Sequence, residues 1–215
     1  MLSSLSSRNV AAYGLRSRSL AASNSLAPPV HSTRSGIATI WVLVSMPVML
    51  TLLVMLVDAG NLWVARVELK NALDAGALSG AKTWGEGGST QQSRLDAQDA
   101  FNTNTILGIQ YSISTAVGGC SNGNTSPSAT TEILLGRITT GANGFTFDCD
   151  ATPTGVESFA VRTRKTISVP SVASTFLGLS LNPYQVTSQS YSRYARPSGP
   201  PQLVHINTYT CTTCP

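Results

Sequence analysis

Side chains that could carry out acid–base or nucleophilic catalysis are few in this sequence. The two histidines, His31 and His205, lie near opposite ends of the chain, and neither belongs to a motif with a serine, cysteine or carboxylate partner. No HExxH, P-loop or GxGxxG motif is present. The ten Asp and Glu residues are scattered, so their spacing indicates no acid–base pair. The sequence therefore predicts a protein that is not an enzyme and that uses no cofactor and no small-molecule substrate.

The four cysteines could form disulfides if they lie outside the cytoplasm. Cys120 and Cys149 flank two predicted strands, and a bond between them would stabilise the folded state by about 3 kcal/mol. Cys211 and Cys214 form a CxxC pair at the end of the sequence, for which a local disulfide, free thiols, or a redox or metal function are the alternatives. Two cysteines alone do not complete a zinc site, so we predict no metal.

The element that must position the rest of the chain is an uncharged apolar run, residues 36–57. As a helix it would span about 33 Å, against a hydrocarbon core of about 30 Å. Pro47 lies in the middle of this run. It removes one backbone hydrogen bond, so we expect a kink in the helix where it crosses the membrane. Asp58 follows directly; we expect an ordinary interfacial residue or, alternatively, a charge that sets the register of assembly. We interpret the run as a membrane anchor, with a cleaved signal peptide as the alternative.

The charge distribution predicts which side of the membrane each part occupies. Only 11% of the residues are charged, whereas soluble domains carry about 25%. Four arginines and no acidic residue precede Asp58, while the remaining Lys and Arg equal the Asp and Glu in number. The positive-inside rule therefore places the N-terminus in the cytoplasm and the C-terminal domain outside. Because the basic excess lies in the leader alone, the sequence excludes a basic nucleic-acid-binding domain.

Helix-forming residues continue beyond the apolar run. Residues 61–83 contain no proline, so we expect the membrane helix to extend as one long helix that ends near Trp84. Ala72, Gly76 and Gly80 follow one another at four-residue spacing and form a small-residue stripe, which allows another backbone to approach closely. This helix-packing face could contact the protein's own sheet or another subunit. Both interpretations remain open from the sequence.

The rest of the chain predicts an α+β domain, in which the long helix packs against a small antiparallel sheet. Ser89 and Gln92 fit a capping box before a helix near 91–102, whose Leu95 and Phe101 would face the core. One further helical turn is expected at residues 172–177. Alternating polarity and turn residues predict strands at 109–115, 132–138, 145–147, 158–169 and 185–194.

These elements divide the chain into four parts. Residues 1–35 are expected to be a disordered cytoplasmic leader and residues 36–57 a single transmembrane helix. Residues 58–196 would form the extracytoplasmic α+β domain. Residues 197–215, which contain prolines and two cysteines, are expected to be a loose tail.

The segment from 34 to 81 resembles the N-terminal region of TadG-like proteins of Flp, or tight-adherence, pilus assembly. The resemblance joins the apolar span to an Asp-x-Gly and a Leu-x-Asn-Ala-x-Asp-Ala run. Longer TadG relatives carry a von Willebrand-type domain with an Asp-x-Ser-x-Ser metal motif, which this chain lacks. A weaker resemblance to a companion region covers 133–137, 159–166 and 176–178. Matching positions in the first segment include Gly36, Asp58, Gly60, Asn71 and Asp74.

The resemblance implies a non-catalytic role in Flp pilus assembly. It implies a bacterial protein of the cytoplasmic membrane, with a single span and an outer domain. The implied partners are the membrane and pilus-assembly or other envelope proteins, and a second copy of this chain is a further partner to test. An anchored or secreted binding module unrelated to pili is the alternative, and a CxxC-dependent thiol protein is the third.

Overall fold

A computed structural model describes residues 35–116, 131–149, 151–154, 158–178, 180, 182–195 and 199–210. The chain divides into two compact units, residues 1–43 and residues 44–215. The expected leader lies outside the described residues except for Ser35.

The first element is a helix of 51 residues, α1 (Ser35–Gly85), which ends where the sequence predicts. Within the described residues it is the one helix that is long and apolar enough to cross a membrane, and its apolar window is not buried. The helix continues through Pro47. One turn later Thr51 Oγ1 donates a hydrogen bond to the carbonyl oxygen of Pro47 at 2.8 Å.

Within the described ranges, eight strands and two short helices follow α1. The helices are α2 (Thr90–Asn102) and α3 (Val172–Leu177). The strands are β1 (Thr105–Ile106), β2 (Ile109–Gln110), β3 (Ile133–Gly141), β4 (Gly144–Asp148), β5 (Ser158–Val169), β6 (Tyr184–Ala195), β7 (Gln202–Leu203) and β8 (Ile206–Thr210). The strands β1 and β2 pair with each other, and the other six form one sheet in the order β7-β6-β5-β3-β4-β8.

The prediction of a small antiparallel sheet is wrong in size and in strand direction. The sheet has six strands and is mixed, because β8 pairs parallel to β4 while the other neighbours pair antiparallel. The expected loose tail supplies both edge strands, since Gln202–Leu203 pairs with β6 and Ile206–Thr210 pairs with β4. Only residues 204–205 join these two edges, so the sheet must curl to bring them close together.

The core lies on both faces of the sheet, because successive residues of a strand point to opposite faces. On one face α1 and α2 pack on β3 and β5. The buried side chains there include Leu69, Leu73, Phe101, Leu135 and Val161. On the other face the curl encloses a smaller cluster. Its buried members are Leu134, Ile138, Phe147, Cys149 and Ala160.

The prediction of an N-cap at Ser89 is confirmed, but the Gln92 side chain donates to Asp96 at 2.7 Å, so the reciprocal bond of a capping box is not among the described contacts. One prediction about the inward face of α2 is wrong. The Ser89 side chain accepts a hydrogen bond from the backbone N–H of Gln92 at 3.1 Å. Phe101 is fully buried, but Leu95 is 42% exposed. The buried positions of α2 are Ser93, Arg94, Ala97 and Phe101, so a serine and an arginine occupy the face expected to be apolar.

The strand expected at 109–115 is limited to Ile109–Gln110. The backbone of Ile113 instead bonds to side chains of α2: its carbonyl accepts from Gln98 at 2.6 Å and its N–H donates to Asn102 at 3.4 Å. Side chains of α2 thus satisfy the backbone N–H and C=O of Ile113, which in the predicted strand would have bonded to a neighbouring strand. The other predicted strands form, and the hairpin between β3 and β4 turns between Gly141 and Gly144.

Candidate interaction site on the long helix

Asp58 joins α1 to the start of α3. Its carboxylate accepts hydrogen bonds from Ser171 Oγ at 2.7 Å, from the N–H of Val172 at 2.6 Å and from the N–H of Ala173 at 3.3 Å. The Ser171 bond lowers the pKa of Asp58 most; burial raises it, and the two N–H bonds lower it further. The charged carboxylate therefore holds the N-terminus of α3, a role that the sequence did not indicate.

The small-residue stripe packs inside the chain, mainly against α2. A Cβ atom on Gly76 would lie 2.9 Å from the carbonyl oxygen of Ala97, and one on Gly80 would lie 3.0 Å from the Ala97 side chain. Ser93 Oγ donates to the Gly80 carbonyl at 2.7 Å, and Ala72 is fully buried. Of the two open interpretations, the intramolecular one describes this face, with α2 rather than the sheet as the main neighbour.

Asp74 connects α1 to β6. It forms an ion pair with Lys70 one turn earlier and accepts a hydrogen bond from Ser190 Oγ. Asn71, three residues before Asp74, is exposed and lines the same groove as Lys70.

The matching positions Gly36 and Gly60, and the proline Pro47, lie on exposed parts of α1. A Cβ atom on Gly36 or Gly60 would meet no other atom within 4 Å, and the helix at Pro47 is likewise open along its apolar run. These positions therefore leave the helix surface free for contacts outside the chain.

A groove of about 860 Å³ lies between α1 and β6. Three basic side chains line it, namely Arg66, Lys70 and Arg164, and its lining residues include no carboxylate. Trp63 stands at the groove with 72% of its surface exposed, and Val67, also at the groove, is 44% exposed. Sequence reasoning missed this site, because Arg164 and the β6 residues are about a hundred positions away from α1.

A buried arginine on β5 is the second feature that the sequence did not reveal. Arg162 is 3% exposed; it donates to the Thr131 carbonyl at 2.8 Å and to the Tyr209 hydroxyl at 3.2 Å. Burial lowers its pKa and raises the pKa of neighbouring Tyr191. Alternation along β5 places the side chains of Arg162 and Val161 on opposite faces of the sheet. Only the curled sheet shows that the face carrying Arg162 is also buried.

Of the four cysteines, Cys149 is described, and it is buried and disulfide-bonded. Its expected partner Cys120 lies outside the described residues, as do Cys211 and Cys214. Across the described ranges no group of three or more His, Cys, Asp or Glu side chains could hold a metal ion.

Comparison with known proteins gives a match over almost the whole of α1. Residues 36–83 match the model of the Tad family, described as Flp pilus-assembly TadE/G-like. No match supports the weaker companion resemblance expected at 133–137, 159–166 and 176–178. No curated protein and no solved structure matches the chain. Residues 36–83 are therefore similar to a TadE/G-like Flp pilus-assembly domain.

Proposed function

We propose that this protein is a TadG-like, non-catalytic component of Flp pilus assembly, anchored in the bacterial cytoplasmic membrane by residues 36–57. The observation that carries the proposal is the match over residues 36–83. The match covers the exposed apolar part of α1 and also the part of α1 that packs in the hydrophobic core. One continuous helix thus links an anchor to a folded domain.

Charge and disulfide chemistry support an outer location for the domain. Four arginines precede the span, which favours a cytoplasmic N-terminus. The disulfide at Cys149 fits the oxidising side of the membrane. The C-terminal domain would then meet pilus or envelope proteins outside the cytoplasm.

Protease accessibility tests the anchor and its orientation. Carbonate-washed membranes should retain the full-length chain, and external protease on intact spheroplasts should remove a C-terminal tag. A cytoplasmic protein of the same cells, which must stay intact, is the control for lysis. A shorter, washable product outside the cells would contradict the anchor and favour the secreted binding module.

Deletion of the coding region tests the pilus role separately. We expect fewer surface Flp pili, with recovery when the full chain is restored. A variant with residues 36–57 replaced by a cleavable signal sequence should fold and leave the cell but not restore the pili. Normal piliation in the deletion strain would contradict the proposed role and leave the anchored binding module as the better function.

A further inference from the structure

The strand β6 has a free edge beside the groove. Of the strands described, β7 covers it only at Ser192 and Arg193. The N–H of Val204 donates to the Tyr191 carbonyl at 3.0 Å, so the odd-numbered residues of β6 direct their backbone groups away from β5. Among the described residues, no backbone group bonds to the N–H and C=O of Gln185, Thr187 and Gln189 on this side. Such an edge is a template for another strand.

The groove runs along this free edge. Thr187, Ser188 and Gln189 line it from the sheet, and five residues of α1 line it from the helix. Asp74 partly neutralises Lys70. Within the described residues no carboxylate pairs with Arg66, which is exposed on the helix. A ligand that adds to the edge would therefore meet positive charge.

We propose that an extended, acidic segment of a partner protein adds to the free edge of β6, with its carboxylates next to Arg66 and Arg164. Strand addition supplies the missing backbone partners, while the basic side chains select Asp and Glu. A second copy of this chain does not fit, because the described strands contain a single carboxylate, Asp148, and Arg137 contacts it.

A lipid headgroup fits this site less well than a strand does. Arg66 lies nine residues after Val57, or about 13 Å further along the helix, whereas the headgroup layer is about 5 to 8 Å thick. A phosphate would also leave the free carbonyl groups of β6 without a donor. This inference deepens the proposed assembly role and rests on it for an outer partner, but its test requires no pilus.

The test is a peptide titration with the full chain in neutral detergent. The probe is a fluorescein-labelled peptide in which Glu and Val alternate over about seven residues, the length of the free edge. A peptide with Lys in place of Glu is the matched control. Anisotropy should show at least tenfold tighter binding of the Glu peptide, and exchange of backbone hydrogen for deuterium should slow in residues 184–191.

Two variants separate the charges from the edge. Arg66→Gln should weaken binding of the Glu peptide several-fold, while Lys82→Gln, which removes an exposed charge of α1 outside the groove, should not. Thr187→Pro should abolish binding; its N–H faces the free edge, where proline is tolerated in a sheet. If this variant misfolds, the exchange measurement on the unaltered chain decides.

Several outcomes would overturn the proposal. They are absence of binding of the Glu peptide up to about 1 mM, equal binding of the Lys peptide, and binding without protection of residues 184–191. Vesicles containing phosphatidylglycerol are the third probe. If they bind in an Arg66-dependent manner and the Glu peptide does not, the groove is a lipid site. None of these outcomes would change the protease-accessibility and piliation results that test the proposed function.

Discussion

Asp58 Oδ1 accepts a hydrogen bond from the backbone N–H of Val172 at 2.6 Å, although the two residues are 114 positions apart. The contact joins the residue that follows the apolar run to the first residue of α3. A carboxylate at this point satisfies helix N–H groups that have no partner within the helix. A position in the matched family segment thus has a structural role in the folded part of the chain that follows the apolar run.

Replacement of Asp58 tests this role through pH. The pKa of Asp58 in the folded chain is below its ordinary value, so the charged carboxylate stabilises the fold. This stabilisation is fully present above the unfolded pKa of about 3.9, and it is lost as the pH falls through the folded pKa. Asp58→Asn should lower the free energy of unfolding at neutral pH, and the difference from the unaltered chain should shrink below about pH 4. Urea unfolding followed by near-UV circular dichroism measures it. Glu86→Gln, at an exposed site, is the control, and a pH-independent difference would contradict the mechanism.

The glycines of α1 give a prediction about where the helix packs. A Cβ on Gly76 would meet the carbonyl oxygen of Ala97, so Gly76→Val should destabilise the domain by about 1 to 3 kcal/mol through overpacking. Gly60→Ala has open space and should stabilise the helix by about 0.5 to 1 kcal/mol. Thermal unfolding of both variants in the same detergent gives the comparison. Equal effects at the two sites would show that α2 does not cover the stripe.

The two large apolar residues of α2, Leu95 and Phe101, should differ strongly in their contribution to stability. Phe101→Ala empties a fully buried site and should cost about 3 to 5 kcal/mol. Leu95 is 42% exposed, so Leu95→Ala should change the free energy of unfolding by no more than about 0.5 kcal/mol. Denaturant titration measures both values. A large loss for Leu95→Ala would mean that its exposed face is covered by a partner or by another part of the chain.

Cysteine connectivity is open to direct measurement. The sequence predicts that the disulfide of Cys149 connects it to Cys120. Mass spectrometry of a non-reduced digest should then contain that linked pair, and Cys120→Ser should lower stability by about 2 to 5 kcal/mol. A link from Cys149 to Cys211 would contradict this prediction. In that case the bond would hold β8 to the end of β4, where the N–H of Cys149 already donates to the Thr210 carbonyl.

Local rules succeeded where a signal lies within a few residues. The end of α1, the Ser89 cap, the hairpin at Gly141 and Gly144, and the whole of β5 follow from composition, capping and alternation. The same rules failed for Leu95, because periodicity shows which side chains share a face but not which face is covered. They also failed for the tail, because prolines just before two short strands resemble a loop.

The sequence by itself determined the long apolar helix, its resemblance to the TadE/G-like family and most of the strands, since each of these depends on neighbouring residues. Only the tertiary structure decided that Asp58 holds α3, that Gly76 and Gly80 face α2, and that β7 and β8 pair at opposite edges of a curled sheet. It also brought Arg66 and Arg164 to one groove. These relationships join residues about 10 to 115 positions apart. Packing and backbone hydrogen bonding, not local propensity, bring such residues together.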